Sequence, residues 1–164
     1  MDIPSDVKHR IVKVQNRLNS QSWLIKFVEP ENLHITLKFF GEINESKIEA
    51  IIKDLEKSGL KRTVVNINKL GYFSPGYIKV IWLGVGGLNN IMPELEKRFG
   101  FLKTPHLTIG RVKRIKDKNA LVTALKDLEN TKIGSFDALK IVMKKSTLTP
   151  RGPIYEDLVY VELV

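Results

Sequence analysis

The sequence predicts an α+β fold of two pseudo-symmetric lobes, mainly antiparallel sheet with helices on the outer faces and a central cleft. Three observations predict it. His34-Ile35-Thr36 returns as His106-Leu107-Thr108, although the chain has only three histidines. Each copy lies in a run that alternates apolar and polar residues, the period of a strand with one buried face. Each run leads through a polar connection into an amphipathic stretch containing Asp-Leu-Glu, at 54–56 and 127–129, as a duplicated strand-helix unit would. At 164 residues and 43% apolar content, the chain reads as a single bilobal domain over 1–164 with a real core.

The elements follow in order. Ser5 reads as the N-cap of a helix over 6–19, with Val7, Ile11, Val14 and Leu18 along one stripe and His9 off it, in solvent. Trp23 to Val28 is a strand, Glu29-Pro30-Glu31-Asn32 a turn, and Leu33 to Phe40 the first histidine strand, stopped by Gly41. A helix over 45–58 turns Ile48, Ile51, Ile52 and Leu55 inward and ends at Gly59. Thr63 to Leu70 and Tyr77 to Val85 read as neighbouring strands across a turn at 71–76. A short helix over 91–99 tolerates Pro93 in its first turn. His106 to Val112 is the second histidine strand, followed by a helix over 118–129 and strands over 136–148 and 154–164.

Composition narrows the function classes. Lys and Arg number 27 against 18 acids, a formal charge of +9 that attracts polyanions; a lysine-rich solvated surface explains the surplus equally well. Cysteine is absent, which removes disulfides and thiolate metal sites. No stretch approaches the roughly 18 apolar residues of a membrane span, and the acidic start lacks the pattern of a secretory leader, so a cytoplasmic location is expected.

The repeated tripeptide carries the chemistry. With Leu33, Ile35, Leu37, Phe39, Leu107 and Ile109 facing a core, His34 and Thr36 stand together on the other face, as do His106 and Thr108. Two imidazoles a substrate apart, each beside a hydroxyl, suit displacement at a phosphate: one ring accepts a proton, the other donates one, and the threonines hydrogen-bond the nonbridging oxygens. An ordinary imidazole pKa near 6.5 leaves both forms populated around neutrality. With two candidate histidines, no Cys and no acid two places after either, a zinc site finds too few donors.

Three longer runs make a resemblance specific: Pro30-Glu31-Asn32-Leu33-His34-Ile35-Thr36-Leu37-Lys38-Phe39-Phe40-Gly41, then Pro105-His106-Leu107-Thr108-Ile109-Gly110-Arg111-Val112, then the tail from Lys145 to Glu156. Together they resemble the RNA 2′,3′-cyclic phosphodiesterases, the LigT-type 2′-5′ RNA ligase family of the two-histidine phosphoesterase superfamily, in order over nearly the whole chain. The resemblance implies hydrolysis of an RNA terminal 2′,3′-cyclic phosphate to a 2′-phosphate, without a metal or nucleotide cofactor. It implies His34 as general acid and His106 as base, in a nearly symmetric site that does not itself assign the direction. Reverse 2′-5′ ligation is the same path with an RNA 5′-hydroxyl in place of water. The expected partners are RNA ends bearing the cyclic phosphate, with no membrane, no obligatory protein partner, and a monomeric enzyme.

Among binding residues, Thr36 and Thr108 come from the motifs, and Arg111 matches the family arginine that holds phosphate. Strict alternation from His106 buries Arg111; a bulge at Gly110 returns it to the cleft, and a strand-end arginine reaching solvent is the other reading. Tyr72, Phe73 and Tyr77 read either as base-stacking residues or as ordinary turn and strand aromatics. The 149–155 loop either borders the cleft, with Arg151 supplying charge, or is a plain proline-glycine turn. Two departures stand out: the family's apolar strand before Asp2-Ile3-Pro4 is not in this sequence, and the stretch from Phe99 to His106 is short. The first either leaves a gap in one sheet or means that a start site lies further upstream; the second trims a groove wall. The competing functions are a noncatalytic RNA-binding module and a phosphodiesterase for a small cyclic nucleotide.

Overall fold

Runs with period-two burial assemble into a five-stranded antiparallel sheet in the computed structural model, which describes residues 1–73, 76–150 and 152–164. Its strands are β1 (Trp23–Phe27), β2 (Thr63–Phe73), β3 (Val80–Gly86), β4 (His106–Ile115) and β5 (Lys132–Ala138), in spatial order β1-β4-β3-β2-β5. A hairpin of β6 (Lys140–Thr149) and β7 (Gly152–Glu162) makes a second, two-stranded sheet. The helices are α1 (Ser5–Arg17), α2 (Glu45–Glu56), α3 (Met92–Phe99) and α4 (Lys118–Asp127). The class is the expected α+β with antiparallel sheets, and the two sheets are unequal in size.

Each sheet has its helix. The stripe Val7, Ile11, Val14 and Leu18 on and just past α1 is buried to 5% exposure or less, and α1 packs on β4 and β5. Every such buried aliphatic contributes about 1.5–3 kcal/mol of burial free energy. The other helix, α2, packs on β7 and buries Ile51 and Leu55; its N-terminus is capped by the Asn44 side chain, which accepts from the Lys47 N–H at 3.0 Å. The Asp117 carboxylate caps α4 in the same way, accepting from Ala120 N–H at 2.9 Å. Among the described residues no helix is long and apolar enough to cross a membrane.

Four local expectations change. Ser5 is the first helical residue and Pro4 the cap, without a side-chain cap bond, because Pro4 already sits at extended ψ and its carbonyl accepts from Lys8. Leu33 to Phe40 alternates in burial only as far as a bend at Leu37, and Phe39, expected in the core, is 78% exposed beyond it. The run is no sheet strand: it has a single antiparallel bridge, Asp2 to His34, and the Met1 and Ile35 backbones exchange two hydrogen bonds of 2.9 and 3.0 Å. A pattern of alternation needs a neighbouring strand to become a ladder, and among the described residues only Met1 and Asp2 pair their backbones with this run as a neighbouring strand would. The run 136–148 divides at Leu139 into β5, paired with β2, and β6, paired with β7. Burial loses its alternation there, with Leu139 and Lys140 both exposed between buried Ala138 and Ile141, and no glycine or proline marks the crossover. Lastly, β2 runs on to Phe73 through the expected turn, since Gly71 lies under the Trp82 ring where any Cβ would collide.

Gly87 shows how tightly β3 is turned off. Its φ of +86° is one that side-chain-bearing residues avoid, and a Cβ there would run into the Val64 carbonyl oxygen. Gly87→Ala is expected to destabilise the protein by about 1–3 kcal/mol, read as a thermal midpoint lowered by roughly 2–4 °C for each kcal/mol.

Candidate active site

Two histidine-bearing segments of different construction make up the candidate site; residues of the second line a depression, and His34 and Thr36 are not among its described lining residues. On the large sheet, His106 opens β4 opposite Gly84, and Thr108 lies opposite Trp82. Leu107 and Ile109 between them are fully buried, so the open face carries the imidazole and the hydroxyl. The ladder to β3 then skips a residue: Trp82 pairs with Thr108 and Ile81 with Gly110, leaving Ile109 without a partner. Ile109 and Gly110 are buried in succession, and Arg111 emerges on the side of His106 and Thr108. The bulge depends on glycine, because a Cβ at Gly110 would stand 2.6 Å from Ile25 Cγ2. His106, Thr108 and Arg111 line a depression of about 510 Å³ together with Phe73, Phe101 and Lys103.

The first motif enters from the loop after β1. A 3-10 turn at Pro30–Asn32 aims the chain so that Leu33, Ile35 and Leu37 are buried, while His34 is half-buried and Thr36 exposed on the opposite face. Lys38, on that same face, donates from Nζ to the Phe101 carbonyl at 2.8 Å, which joins this segment to the wall of the His106 depression. The β6–β7 hairpin closes the other side. Tyr155 meets His34 edge-on, with ring centroids 4.7 Å apart, and Gly152 lies beside Lys26 Nζ on β1, whose register partner is Arg111.

The two rings are held alike. His34 Nδ1 lies 2.7 Å from the Asn32 carbonyl, and His106 Nδ1 lies 3.0 Å from the Thr104 carbonyl, each two residues back. A carbonyl only accepts, so each Nδ1 carries the proton and each Nε2 is left for a ligand. Each ring also has an aromatic edge contact, Tyr155 for His34 and Phe73 for His106 at 5.0 Å. Such a pair restricts ring rotation as well as packing it.

Burial pushes the His34 pKa below the ordinary 6.5; the Asn32 carbonyl opposes this, and the Lys144 cation adds to it. Lys144 is itself held by Asp2 at 3.0 Å and by Asp157. A histidine whose folded pKa is depressed binds fewer protons folded than unfolded, so its contribution to stability is present above pH 6.5 and is lost as pH falls from there toward the folded pKa. The thermal midpoint is expected to drop below pH 6.5 more steeply in the wild type than in His34→Asn; parallel profiles would refute this coupling.

The remaining sequence candidates are placed as follows. Tyr77 is 53% exposed on the β2–β3 connection, with Lys79 Nζ 5.9 Å from its ring centre, and is not among the described residues lining the His106 depression. Tyr72 packs against the core. Arg151 lies outside the described residues. Tyr155, Lys144 and Lys38 were not singled out from sequence; they approach His34 or its segment through tertiary contacts, and only the tail resemblance around Tyr155 gave a signal. A second depression of about 440 Å³, between Gly86 to Leu88 and Met92, has no titratable side chain among its described lining residues.

Comparison with known proteins identifies the family and the fold. The sequence model of the family described as LigT-like phosphoesterase matches residues 1–82. A protein of Methanocaldococcus jannaschii named RNA 2′,3′-cyclic phosphodiesterase is 41% identical, covering 95% of this chain and 94% of the relative. One of the same name from Methanothermobacter thermautotrophicus is 37% identical over 96% of this chain and 93% of its own length. In fold, the chain superposes on a Thermus thermophilus protein with a TM-score of 0.77 at 20% identity, covering 98% of this chain and 93% of the other. It superposes equally on Escherichia coli LigT complexed with 3′-AMP, TM-score 0.77 at 18% identity, covering 99% and 94%. With the family model matching half of the chain and relatives aligned over nearly its full length, the chain belongs to the LigT-like phosphoesterase family.

Proposed function

We propose that this chain, acting as one bilobal monomer in the cytoplasm, hydrolyses the 2′,3′-cyclic phosphate at RNA ends to a 2′-phosphate with its own side chains alone. The observation that carries this reading is the pair of imidazoles, each fixed by its Nδ1 to a backbone carbonyl with Nε2 left open, His106 lining a depression with Thr108 and Arg111. His106 takes a proton from water as the water oxygen bonds to phosphorus. The bond from phosphorus to O3′ breaks, and His34 gives its proton to O3′. Thr36, Thr108 and Arg111 hydrogen-bond the nonbridging oxygens, on which negative charge accumulates. Arg151 and Tyr77 are assigned to the body of the RNA.

His34 enters this scheme against its resting preference. Burial favours the neutral ring, and the arriving phosphate anion offsets that burial by favouring the imidazolium. The alkaline limb of kcat/KM, which reports the free enzyme, is therefore expected below the ordinary imidazole value, and that of kcat higher. An acid limb that disappears in His34→Ala would exchange the two roles.

The deciding assay offers an oligonucleotide ending in a 2′,3′-cyclic phosphate, in EDTA, with the product mapped as 2′- or 3′-phosphate. Release of the 2′-phosphate supports the reading. Salt-dependent RNA binding with no product at any pH would make the protein a binding module, and faster turnover of a mononucleotide cyclic phosphate would make its substrate a small nucleotide. With a 5′-hydroxyl RNA added in excess over the end, the same path with that hydroxyl in place of water forms a 2′-5′ linkage and releases O3′ as a hydroxyl.

A further inference from the structure

The apolar face of α1 contains one residue that its periodicity does not ask for. Gln15 is 4% exposed and is the sole buried polar residue among those described. Its amide nitrogen donates two bonds, to the Val28 carbonyl at 2.8 Å and to the Ile109 carbonyl at 3.0 Å. The Ile109 carbonyl also accepts from Val28 N–H at 3.0 Å, so α1, the end of β1 and the middle of β4 meet at a single oxygen.

Those two carbonyls stand at informative places. Ile109 is the bulged residue between Thr108 and Gly110, the point where β4 shifts its register and turns Arg111 into the cleft. Val28 is where β1 leaves β4, and the chain reaches His34 six residues later. A buried amide gains little net stability over an apolar side chain of equal size, since its hydrogen bonds replace bonds to water. What it adds is direction: two donors on one planar group fix two carbonyls relative to each other.

We infer that Gln15 is a positioning residue for the two-histidine cleft, a joint that sets both the exit of the chain toward His34 and the bulge that aligns Arg111 with His106 and Thr108. It rests on the function proposed above. A methionine at this position fills the same space and has no donor, so the bulge carbonyl and the β1 exit lose their shared anchor. Displacement of reacting groups by about 1 Å costs on the order of 10²-fold in rate.

The test compares wild type, Gln15→Met, Arg111→Met and the double variant on a cyclic-phosphate RNA, well below the thermal midpoint of each. The expected result is a kcat of Gln15→Met lower by about 10- to 100-fold, with KM within about threefold, and a smaller loss when Arg111 is already Met. A lowered midpoint with unchanged kcat would reduce Gln15 to a structural role and overturn the inference, as would losses that multiply independently in the double variant. Should Gln15→Met not fold, Gln15→Asn keeps an amide one methylene short of both carbonyls and is read by the same kcat. An inactive wild type would instead sink the functional reading, and this inference with it.

Discussion

Alanine in place of His34 or His106 is expected to lower kcat on an RNA 2′,3′-cyclic phosphate by about 10²–10⁴-fold, the usual worth of a positioned acid or base. The loss is catalytic. His106 is half-exposed, with its Nδ1 on the Thr104 carbonyl and Phe73 against its ring, so truncation there leaves no buried charge behind. His34→Ala also removes the edge contact with Tyr155, for a stability cost of about 0.5–1.5 kcal/mol. Because the two rings serve one proton-transfer sequence, the double variant is expected to lose far less than the product of the single losses. Stopped-time assays in EDTA, with circular dichroism melts of the same preparations, check both halves. Full activity in either single variant would remove that imidazole from the mechanism.

Arg111→Met has the second largest expected effect, a fall in kcat/KM of about 10²–10³-fold, comparable to the loss of one donor from an oxyanion site. Methionine keeps most of the aliphatic stem and removes the fork of N–H donors and the charge. The effect depends on the bulge, since a regular strand would have turned residue 111 to the core beside Leu107 and Ile109. Inhibition by inorganic phosphate is expected to weaken in parallel. A variant with wild-type phosphate inhibition would mean that Arg111 reaches solvent and leaves the anion to other groups.

Particular residues show how far the sequence reaches. The faces of His34, Thr36, His106 and Thr108 follow from alternation alone, because Leu33, Ile35, Leu107 and Ile109 have to be buried whichever strands lie alongside. The pairing of β2 with β3 was legible from two β-rich runs across a turn. The ends of the same elements were not. Nothing local distinguishes Leu33 to Phe40 from a sheet strand, and no glycine or proline marks Leu139 as the point of exchange between two sheets. The bulge at Ile109 and Gly110 was one of two readings of Arg111, and the register of β4 against β3 selects it.

What the residues determined by themselves was the chemical inventory and its orientation: two imidazoles, each with a hydroxyl two places on, directed away from a core, in a basic chain. Period and polarity are local, so local sequence carries them. Only the tertiary structure decided that Phe101 and Lys38 join the two motif segments, that Tyr155 and Lys144 come to His34 from a distant hairpin, and that Gln15 spends its amide on carbonyls of β1 and β4. Those contacts unite residues as many as 121 positions apart, from His34 to Tyr155. Their partners are chosen by how sheets and helices pack, a property of the folded chain that no window of sequence contains.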